Sequence, residues 1–291
     1  MARILNFGSL NIDYVYSVDD FTKPGETINS TQLEIFCGGK GLNQSIALSR
    51  AGADVYHAGI IGAKGAMLLD ALTAANVNVD LISQLNIPDG HAIIQLNKQG
   101  ENCIVVHAGS NKCISNYKVE DVFQHFGLGD ILVIQNEINN LAYIMQLAHQ
   151  KKMKIVFNPS PIDDSICQLP LKYVDYLILN QLEAMKILST EDDSNLLNRL
   201  SNMLPNAHIV LTLGAQGSKY KYQNTEYEQD IFAVDVVDTT AAGDTFLGYF
   251  VASIAREDSA QAALEIAAKA ASIAITTKGA AQSIPTLDAI F

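Results

Sequence analysis

The sequence lacks several features that would assign it to other classes of protein. No apolar run reaches 18 residues, so no membrane-spanning helix is expected. The apolar start, residues 1–8, is too short for a signal peptide and is typical of a first buried strand. Positive charge is scarce, since 19 Lys and Arg stand against 31 Asp and Glu, a net charge of −12. An acidic surface does not attract nucleic acid or an anionic membrane, so neither is expected as a partner.

Three common kinds of site are also missing. The cysteines, Cys37, Cys103, Cys113 and Cys167, form no C-x-x-C pair. In a chain of this length they are expected to be reduced thiols, which favours a cytoplasmic protein. The six histidines show no metal-ligand spacing, and the Walker spacing G-x-x-x-x-G-K-S/T is absent. A zinc site and a P-loop are therefore not predicted.

What is present is an α/β pattern. The 291 residues are 48% apolar and 17% charged, as in an ordinary globular protein with a full core. Short apolar runs alternate with amphipathic helical segments, which predicts a mainly parallel sheet covered on both faces. The predicted strands are residues 3–8, 55–61, 130–135, 154–158, 176–180 and 208–213. Ligands of such a sheet bind past the carboxyl ends of its strands.

Two segments depart from this pattern. Residues 12–36 and 79–107 contain alternating apolar and polar runs with turns but no crossover helix. We expect them to form a small β lid over the site. The core is then expected to comprise residues 1–11, 37–78 and 108–291.

Polar residues recur where the predicted strands end. Asn11 and Asp13 are two apart and face the same way on an extended segment, which suits hydrogen bonds to a polyol. Each such residue alone is better explained as a cap or turn residue, but their recurrence indicates a ligand site. The other positions are Gln135, Asn136, Glu137, Asn158, Asn180, Glu183 and Thr212.

Two glycine-containing segments precede helices. In residues 37–44, glycines bring the backbone close to a ligand, and Lys40 and Asn43 share one helical face. A tight turn with a solvated lysine is the alternative. In residues 238–248, small residues precede a long apolar helix, whose first N–H groups favour an anion. Asp244 there is interpreted as a base acting on a hydroxyl that attacks a phosphoryl group, or else as a helix-start acid.

Nine motifs occur in one order along nearly the whole chain. They begin at Asn11, Pro24, Gly38, His107, Asn158, Asn180, Thr212, Asp238 and Lys278. In this combination the sequence resembles the ribokinase branch of the PfkB carbohydrate kinases. The resemblance implies a three-layer α/β/α sandwich with a small β lid. It also implies ATP-dependent phosphorylation of a primary sugar hydroxyl, with Mg²⁺, a potassium ion as activator, and a homodimer formed through the lid.

The resemblance also implies roles for individual residues. Asp244 corresponds to the general base, and the N–H groups of Ala241, Ala242 and Gly243 to an anion hole. The sugar-binding set is Asn11, Asp13, Gly39, Lys40, Asn43, Glu137 and Asp244. The ATP-binding set is Asn180, Glu183 (near which magnesium is expected), Thr212, Leu213, Gly214, Ala215, Gln216, Gly217, Gly243 and Ala268. The potassium set is Asp238, Thr240, Ala274, Thr277, Gly279 and Ser283.

Some residues depart from the family pattern, and several substrates stay open. Leu247, Tyr249 and Ala268 replace residues that the family usually carries, which affects packing behind the base and near the adenine. No arginine cluster is present for a sugar phosphate, and ribose is the first expectation. The alternatives are 2-deoxyribose, a nucleoside stacked on lid aromatics such as Tyr14, and a non-catalytic sugar-binding role.

Overall fold

The structure is a computed structural model, which describes residues 2–291. These residues form thirteen strands in chain order: β1 (Arg3–Phe7), β2 (Asn11–Ser17), β3 (Gln32–Gly38), β4 (Asp54–Ile61), β5 (Asn78–Gln84), β6 (Gly90–Leu96), β7 (Asn102–His107), β8 (Ile131–Gln135), β9 (Lys154–Asn158), β10 (Tyr176–Asn180), β11 (His208–Thr212), β12 (Ser218–Tyr222) and β13 (Thr225–Gln229). They also form eight α-helices: α1 (Lys40–Arg50), α2 (Ala66–Ala74), α3 (Asn116–Val122), α4 (Leu141–Gln150), α5 (Gln181–Ile187), α6 (Leu196–Met203), α7 (Ala242–Ala255) and α8 (Ala260–Ala274).

Nine strands form one large sheet. Its order is β13-β12-β11-β10-β9-β8-β1-β4-β5. The seven strands from β11 to β5 are parallel, and β12 and β13 add an antiparallel edge. Chain order reverses beside β1, which pairs with β4 on one side and β8 on the other. In doubly wound sheets a ligand crevice opens at such a reversal.

Helices cover both faces of the large sheet. Consecutive residues of β1 alternate between two cores, since Ile4 belongs to one and Leu5 to the other, and both are fully buried. The first core packs against α1, α2, α7 and α8, and the second against α3 to α6. Side chains of a strand point alternately to opposite faces, so both faces of the sheet need apolar residues. The predicted α/β/α sandwich is thus confirmed.

The other four strands form the small sheet, in the order β3-β2-β6-β7. We call it the lid sheet. Its pairing is antiparallel except between β2 and β6. Asn11, at the start of β2, pairs with both Gly38 and Gly90, so the base of the lid adjoins the start of α1.

One predicted lid boundary is wrong. The sequence pattern places residues 79–84 in the lid segment 79–107, but they lie in β5, which pairs in parallel with β4 at the edge of the large sheet. An edge strand is buried on one side only, so its alternating pattern imitates that of a lid strand. Helix α2, between β4 and β5, provides the crossover that a parallel pair requires.

None of the helices within residues 2–291 combines the length and apolar character needed to cross a membrane.

Candidate active site

A cavity of about 270 Å³ opens where the central parallel strands meet the start of α7. It is lined by Lys40, Asn158, Ser160, Ile178, Leu179, Asn180, Glu183, Thr212, Thr239, Ala241, Ala242, Gly243 and Asp244. Most of these residues stand at the carboxyl ends of strands or the first turns of helices. The topology therefore gathers polar side chains from widely separated parts of the chain.

Asp244 occupies the first turn of α7 and is only 7% exposed. Both oxygens of its carboxylate accept hydrogen bonds from α1. Asn43 Nδ2 donates to Oδ2 at 3.1 Å, and Gln44 Nε2 donates to Oδ1 at 2.9 Å. Gly248 permits this approach of α7 to α1, because a methyl group there would overlap Ala47. The carboxylate is thus held in one orientation beside the cavity.

The turn before α7 exposes N–H groups to the cavity. Ala241 adopts a left-handed backbone, with φ 60°, and α7 begins at the next residue. The first N–H groups of a helix have no acceptor within it, and they carry the positive end of its dipole. The Ala242 N–H donates to Thr239 O at 3.2 Å, so it is already engaged in the turn. Ala241, Ala242 and Gly243 all line the cavity, as an anion hole requires.

Glu137 holds the start of α1 in place. Its Oε2 accepts from the Lys40 N–H at 2.9 Å and from the Ser9 hydroxyl. Ser9 Oγ in turn accepts from the Gly41 N–H at 3.1 Å. Gly39, the residue before α1, has φ 93°, a conformation that favours glycine. The predicted glycine-rich segment therefore forms a tight turn bound to a carboxylate.

Lys40 is the cation at the centre of the site. Burial disfavours its ammonium group, but the charges of Asp244, Glu137 and Glu183 outweigh burial and raise the pKa of Lys40. It therefore keeps its positive charge among the carboxylates of the site. An ammonium in this position suits an anionic ligand in the cavity.

Asn11 and Asp13 lie at the base of the lid sheet. Asn11 Oδ1 accepts from Asn111 Nδ2 at 2.7 Å. The pKa of Asp13 is raised to about 6, first by burial and then by the negative charge of Glu137. Gly38 is packed against Asp13, because a methyl group there would overlap the carboxylate. The absence of a side chain at residue 38 thus leaves room for the Asp13 carboxylate.

The predicted ATP set is only partly brought together. Four of its members line the cavity: Asn180, Glu183, Thr212 and Gly243. The others do not line it, namely Ala268 and the turn Leu213, Gly214, Ala215, Gln216 and Gly217. Asn180 and Glu183 form a capping box at the start of α5. The Asn180 N–H donates to Glu183 Oε2 at 3.0 Å, and Glu183 is 6% exposed. Ala268 is 9% exposed and packs in the first core.

The predicted potassium set lies in two adjoining loops and at the end of α8, where Ala274 is the last residue. Asp238 Oδ1 accepts from the Thr240 N–H at 2.9 Å and hydroxyl at 2.6 Å, and Oδ2 accepts from the Gly279 N–H at 2.9 Å. Burial alone would raise the pKa of Asp238, but these hydrogen bonds and the charge of Lys278 hold it below its ordinary value. The Ser283 hydroxyl instead donates to Ala280 O, and Ala274 O accepts from the Thr277 N–H. Asp238, Thr240 and Gly279 are therefore directly joined, and Ala274 is joined to Thr277.

No group of three or more His, Cys, Asp or Glu side chains suited to a metal occurs in the part of the chain that the structure describes.

Five further residues belong to the site or support it, although the sequence alone predicts no role for them: Ser9, Gln44, Asn111, Ser160 and Thr239. Gln44, Asn111, Ser160 and Thr239 do lie inside motifs, which begin at Gly38, His107, Asn158 and Asp238. The buried hydrogen bonds of Gln44 and Asn111 depend on contacts more than 90 residues away in sequence. A motif marks such positions, but spacing alone does not give their partners.

The departures at Leu247 and Tyr249 are absorbed by the core. Leu247 is 1% exposed within the first core. Tyr249 is fully buried, and its hydroxyl donates to Pro285 O at 2.7 Å. A buried hydroxyl needs such a partner, so the larger side chain is accommodated without an unsatisfied polar group.

Comparison with known proteins gives one consistent result. The model of the pfkB family carbohydrate kinases matches residues 1–287. The ribokinase of Haemophilus influenzae is 34% identical over 288 residues, covering 96% of this chain and 94% of that protein. The ribokinase of Schizosaccharomyces pombe is 33% identical over 99% of this chain and 96% of that protein.

Solved structures agree. A ribokinase from Cryptococcus neoformans in complex with ADP superposes with a TM-score of 0.90 at 32% identity, covering 100% of this chain and 99% of that one. The Arabidopsis thaliana ribokinase complexed with ribose and ATP gives a TM-score of 0.89 at 27% identity, covering 100% and 98%.

Proposed function

Because the chain belongs to the pfkB family of carbohydrate kinases, we propose that it uses ATP to phosphorylate the primary 5-hydroxyl of D-ribose, giving ribose 5-phosphate and ADP. The ribokinases that it resembles over nearly their whole length support this substrate. The test is to incubate the protein with ATP and ribose and locate the new phosphate by NMR. Phosphate at C5 is expected, and phosphate at C1 would contradict the proposed geometry.

One observation carries the proposal: a buried carboxylate and the helix-start residues Ala241, Ala242 and Gly243 line one cavity. In the proposed step, Asp244 takes the proton of the ribose hydroxyl as its oxygen attacks the γ-phosphorus. The new O–P bond forms while the bond to the ADP oxygen breaks. N–H groups at residues 241–243 and the Lys40 ammonium stabilise the charge on the transferring group.

The proposed sugar contacts follow from unused acceptors. Asp13 and Glu137 accept hydrogen bonds from sugar hydroxyls and would repel a sugar that already carries a phosphate. Asn43 donates to Asp244 through Nδ2, so it lies beside the cavity and is proposed as a further sugar contact. Asn11, Gly39 and Lys40 complete the proposed set.

Mg²⁺ is proposed to enter with ATP near Glu183. The donor set fits, because Glu183 lines the cavity together with Asn180 and Thr212, and Mg²⁺ prefers oxygen ligands. When bound, the ion would neutralise phosphate charge. Asn180, Glu183, Thr212 and the 213–217 turn are proposed to contact the nucleotide, with Ala268 providing apolar packing behind it.

A potassium ion is proposed to sit by Asp238, Thr240 and Gly279, with main-chain oxygens of residues 274 and 277 and Ser283 as further ligands. The Asp238 bonds that join the two loops support this, because the same loop forms the turn before α7. Replacing K⁺ by tetramethylammonium is expected to lower kcat about 5-fold or more, as for a typical coupling between two ligands. The effect on kcat is measured as the rate of ADP release in a coupled assay. An equal rate in both salts, or an Asp238→Asn variant that still responds to K⁺, would contradict the site.

A homodimer through the lid sheet is proposed as the assembly. Ile35, Ile93 and Val105 lie in one cross-strand row and are 48%, 43% and 65% exposed. Strand β7 is an open edge whose six residues are all exposed. Burying such a row and edge removes apolar surface and unpaired strand groups from water.

Light scattering tests the dimer. The mass is expected to be twice the 31.5 kDa chain, falling to one chain for Val105→Asp. Tyr117→Asp, the matched control, changes an apolar residue on α3 that is 79% exposed outside the lid and should leave the mass unchanged. A monomeric unmodified protein would contradict the assembly.

Gly38→Ala is expected to raise the KM for ribose by about 10-fold or more. This increase corresponds to the loss of one hydrogen bond to a charged group. The added methyl would overlap the Asp13 carboxylate and push it out of position. Gly127→Ala is the control, because a methyl there meets no atom within 4 Å. The KM is measured by steady-state kinetics with varied ribose. If the Gly38→Ala protein kept the KM of the unmodified protein, as the Gly127→Ala protein should, the prediction would be contradicted.

We also propose that the protein acts in the cytoplasm. The four cysteines are free thiols, as is usual in a reducing compartment.

A further inference from the structure

A buried chain of side-chain amides runs beneath Asp244, and the proposed chemistry does not use it. Asn6, Gln44 and Gln135 are all fully buried. We propose that Gln44 is a positioning residue for Asp244, and that hydrogen bonds anchored on main-chain carbonyls force its amide to present an N–H to that carboxylate. The inference rests on the proposed role of Asp244 as the base.

The Gln44 amide uses all of its polar groups. Nε2 donates to Asp244 Oδ1 at 2.9 Å and to Asn158 Oδ1 at 3.3 Å. Oε1 accepts from Gln135 Nε2 at 2.7 Å. Turning the amide over would set Oε1 against the Asp244 carboxylate and Nε2 against another N–H donor. The correct orientation therefore has to be fixed from outside.

The first anchor is the main-chain carbonyl of Gly41. A carbonyl oxygen can only accept, so Asn6 turns Nδ2 towards it, at 2.8 Å. Asn6 Oδ1 then accepts from Gln135 Nε2 at 2.9 Å. That same Nε2 donates to Gln44 Oε1, which leaves Gln44 only one orientation.

The second anchor is the main-chain carbonyl of Ile178. Asn158 Nδ2 donates to it at 2.9 Å, so Asn158 Oδ1 faces Gln44 Nε2. Both anchors therefore impose the same orientation on Gln44. With Asn43 donating to the other oxygen, the carboxylate is held between two amides on α1. The positive charge of Lys40 interacts with Asp244, and the carboxylates of Glu137 and Glu183 interact with Lys40 as well.

Two substitutions at Gln44 test the inference. Gln44→Met keeps the shape but removes the donor, and kcat is expected to fall about 10- to 100-fold with the KM for ribose unchanged. Gln44→Glu replaces the donor by a second carboxylate beside Asp244. Like charge opposes ionisation, so the acidic limb of the kcat–pH profile is expected to move to higher pH. A purely structural role would lower stability without moving that limb.

The controls separate this role from loss of stability. Ile144→Val alters the second core at α4, and both kcat and the pH profile should stay unchanged. Gln135→Met removes the partner of Gln44 Oε1, and kcat should fall by a smaller factor than in Gln44→Met. It keeps the inference testable where a Gln44 variant folds poorly, and melting curves with ADP monitor folding.

The outcomes are distinct. If the unmodified protein turns over ribose but the Gln44→Glu variant has an unchanged kcat–pH profile, this inference is overturned and the proposed function is not. A Gln44→Met variant with raised KM and unchanged kcat would overturn it in favour of sugar binding. An unmodified protein without sugar turnover would overturn the proposed function and this inference with it.

Discussion

Asp244→Asn is expected to lower kcat by about 10²- to 10⁴-fold, the usual loss when a general base is removed. The amide cannot take the hydroxyl proton. It also has one oxygen for two donors, because Asn43 and Gln44 each donate to the present carboxylate. Some loss of stability is therefore expected along with the loss of rate. The measurement is kcat from ADP release at saturating ribose.

Controls for this variant distinguish chemistry from folding. Asp80→Asn makes the same chemical change at an exposed carboxylate on β5 and should keep kcat. Melting with and without ADP should show that the Asp244→Asn protein folds and still binds nucleotide. A kcat near that of the unmodified protein, with the fold intact, would rule out Asp244 as the base.

Asp13→Asn is expected to raise the KM for ribose about 10- to 100-fold and yet stabilise the protein. The loss of affinity corresponds to a hydrogen bond to a charged acceptor. The gain follows because burial raises the pKa of Asp13 from 3.8 to about 6, so its ionised form is costly in the folded state. Removing that charge is expected to add about 1–3 kcal/mol to the free energy of unfolding at pH 7.

The stability difference between the Asp13→Asn and unmodified proteins is expected to depend on pH. The folded pKa of Asp13 lies above the unfolded value, so its carboxylate lowers stability fully above about pH 6. That cost disappears as the pH falls below about 4. Denaturation curves of the two proteins should therefore differ most at pH 7 and converge at low pH. The KM for ribose of the unmodified protein should rise as the pH falls below about 6.

Glu137→Gln is the matched control for Asp13→Asn. Glu137 accepts from the Lys40 N–H and the Ser9 hydroxyl, so neutralising it removes favourable hydrogen bonds to a charged group. KM should rise without any gain in stability. An Asp13→Asn protein that is no more stable than the unmodified one at pH 7 would contradict the account of its buried charge.

Local sequence signals predicted much of the fold. The strands 154–158 and 176–180 have the predicted bounds, because buried parallel strands are short continuous apolar runs. The pattern failed for β5, whose half-exposed alternation is shared by edge strands and lid strands alike. Which sheet it joins depends on a long-range pairing with β4, and a local pattern contains no information on that pairing.

The candidate site was predictable where a residue stands at a strand end or helix start. Asp244, Lys40, Asn180 and Thr212 line one cavity for that reason. The support of Asp244 by Gln44 was not predictable, because it arises from the packing of α1 against α7, about 200 residues later. Nor could spacing show that Ser283 turns to Ala280 rather than to Asp238.

The most direct measurement is ADP release with ATP, Mg²⁺ and K⁺ against ribose, 2-deoxyribose, fructose, fructose 6-phosphate, adenosine and uridine. The account predicts the highest kcat/KM with ribose and no turnover of fructose 6-phosphate, since Asp13 and Glu137 repel a phosphorylated sugar. Turnover with a nucleoside alone would contradict the assignment of the sugar-binding residues. A protein that ribose stabilises against melting but that releases no ADP with any substrate would contradict the kinase itself.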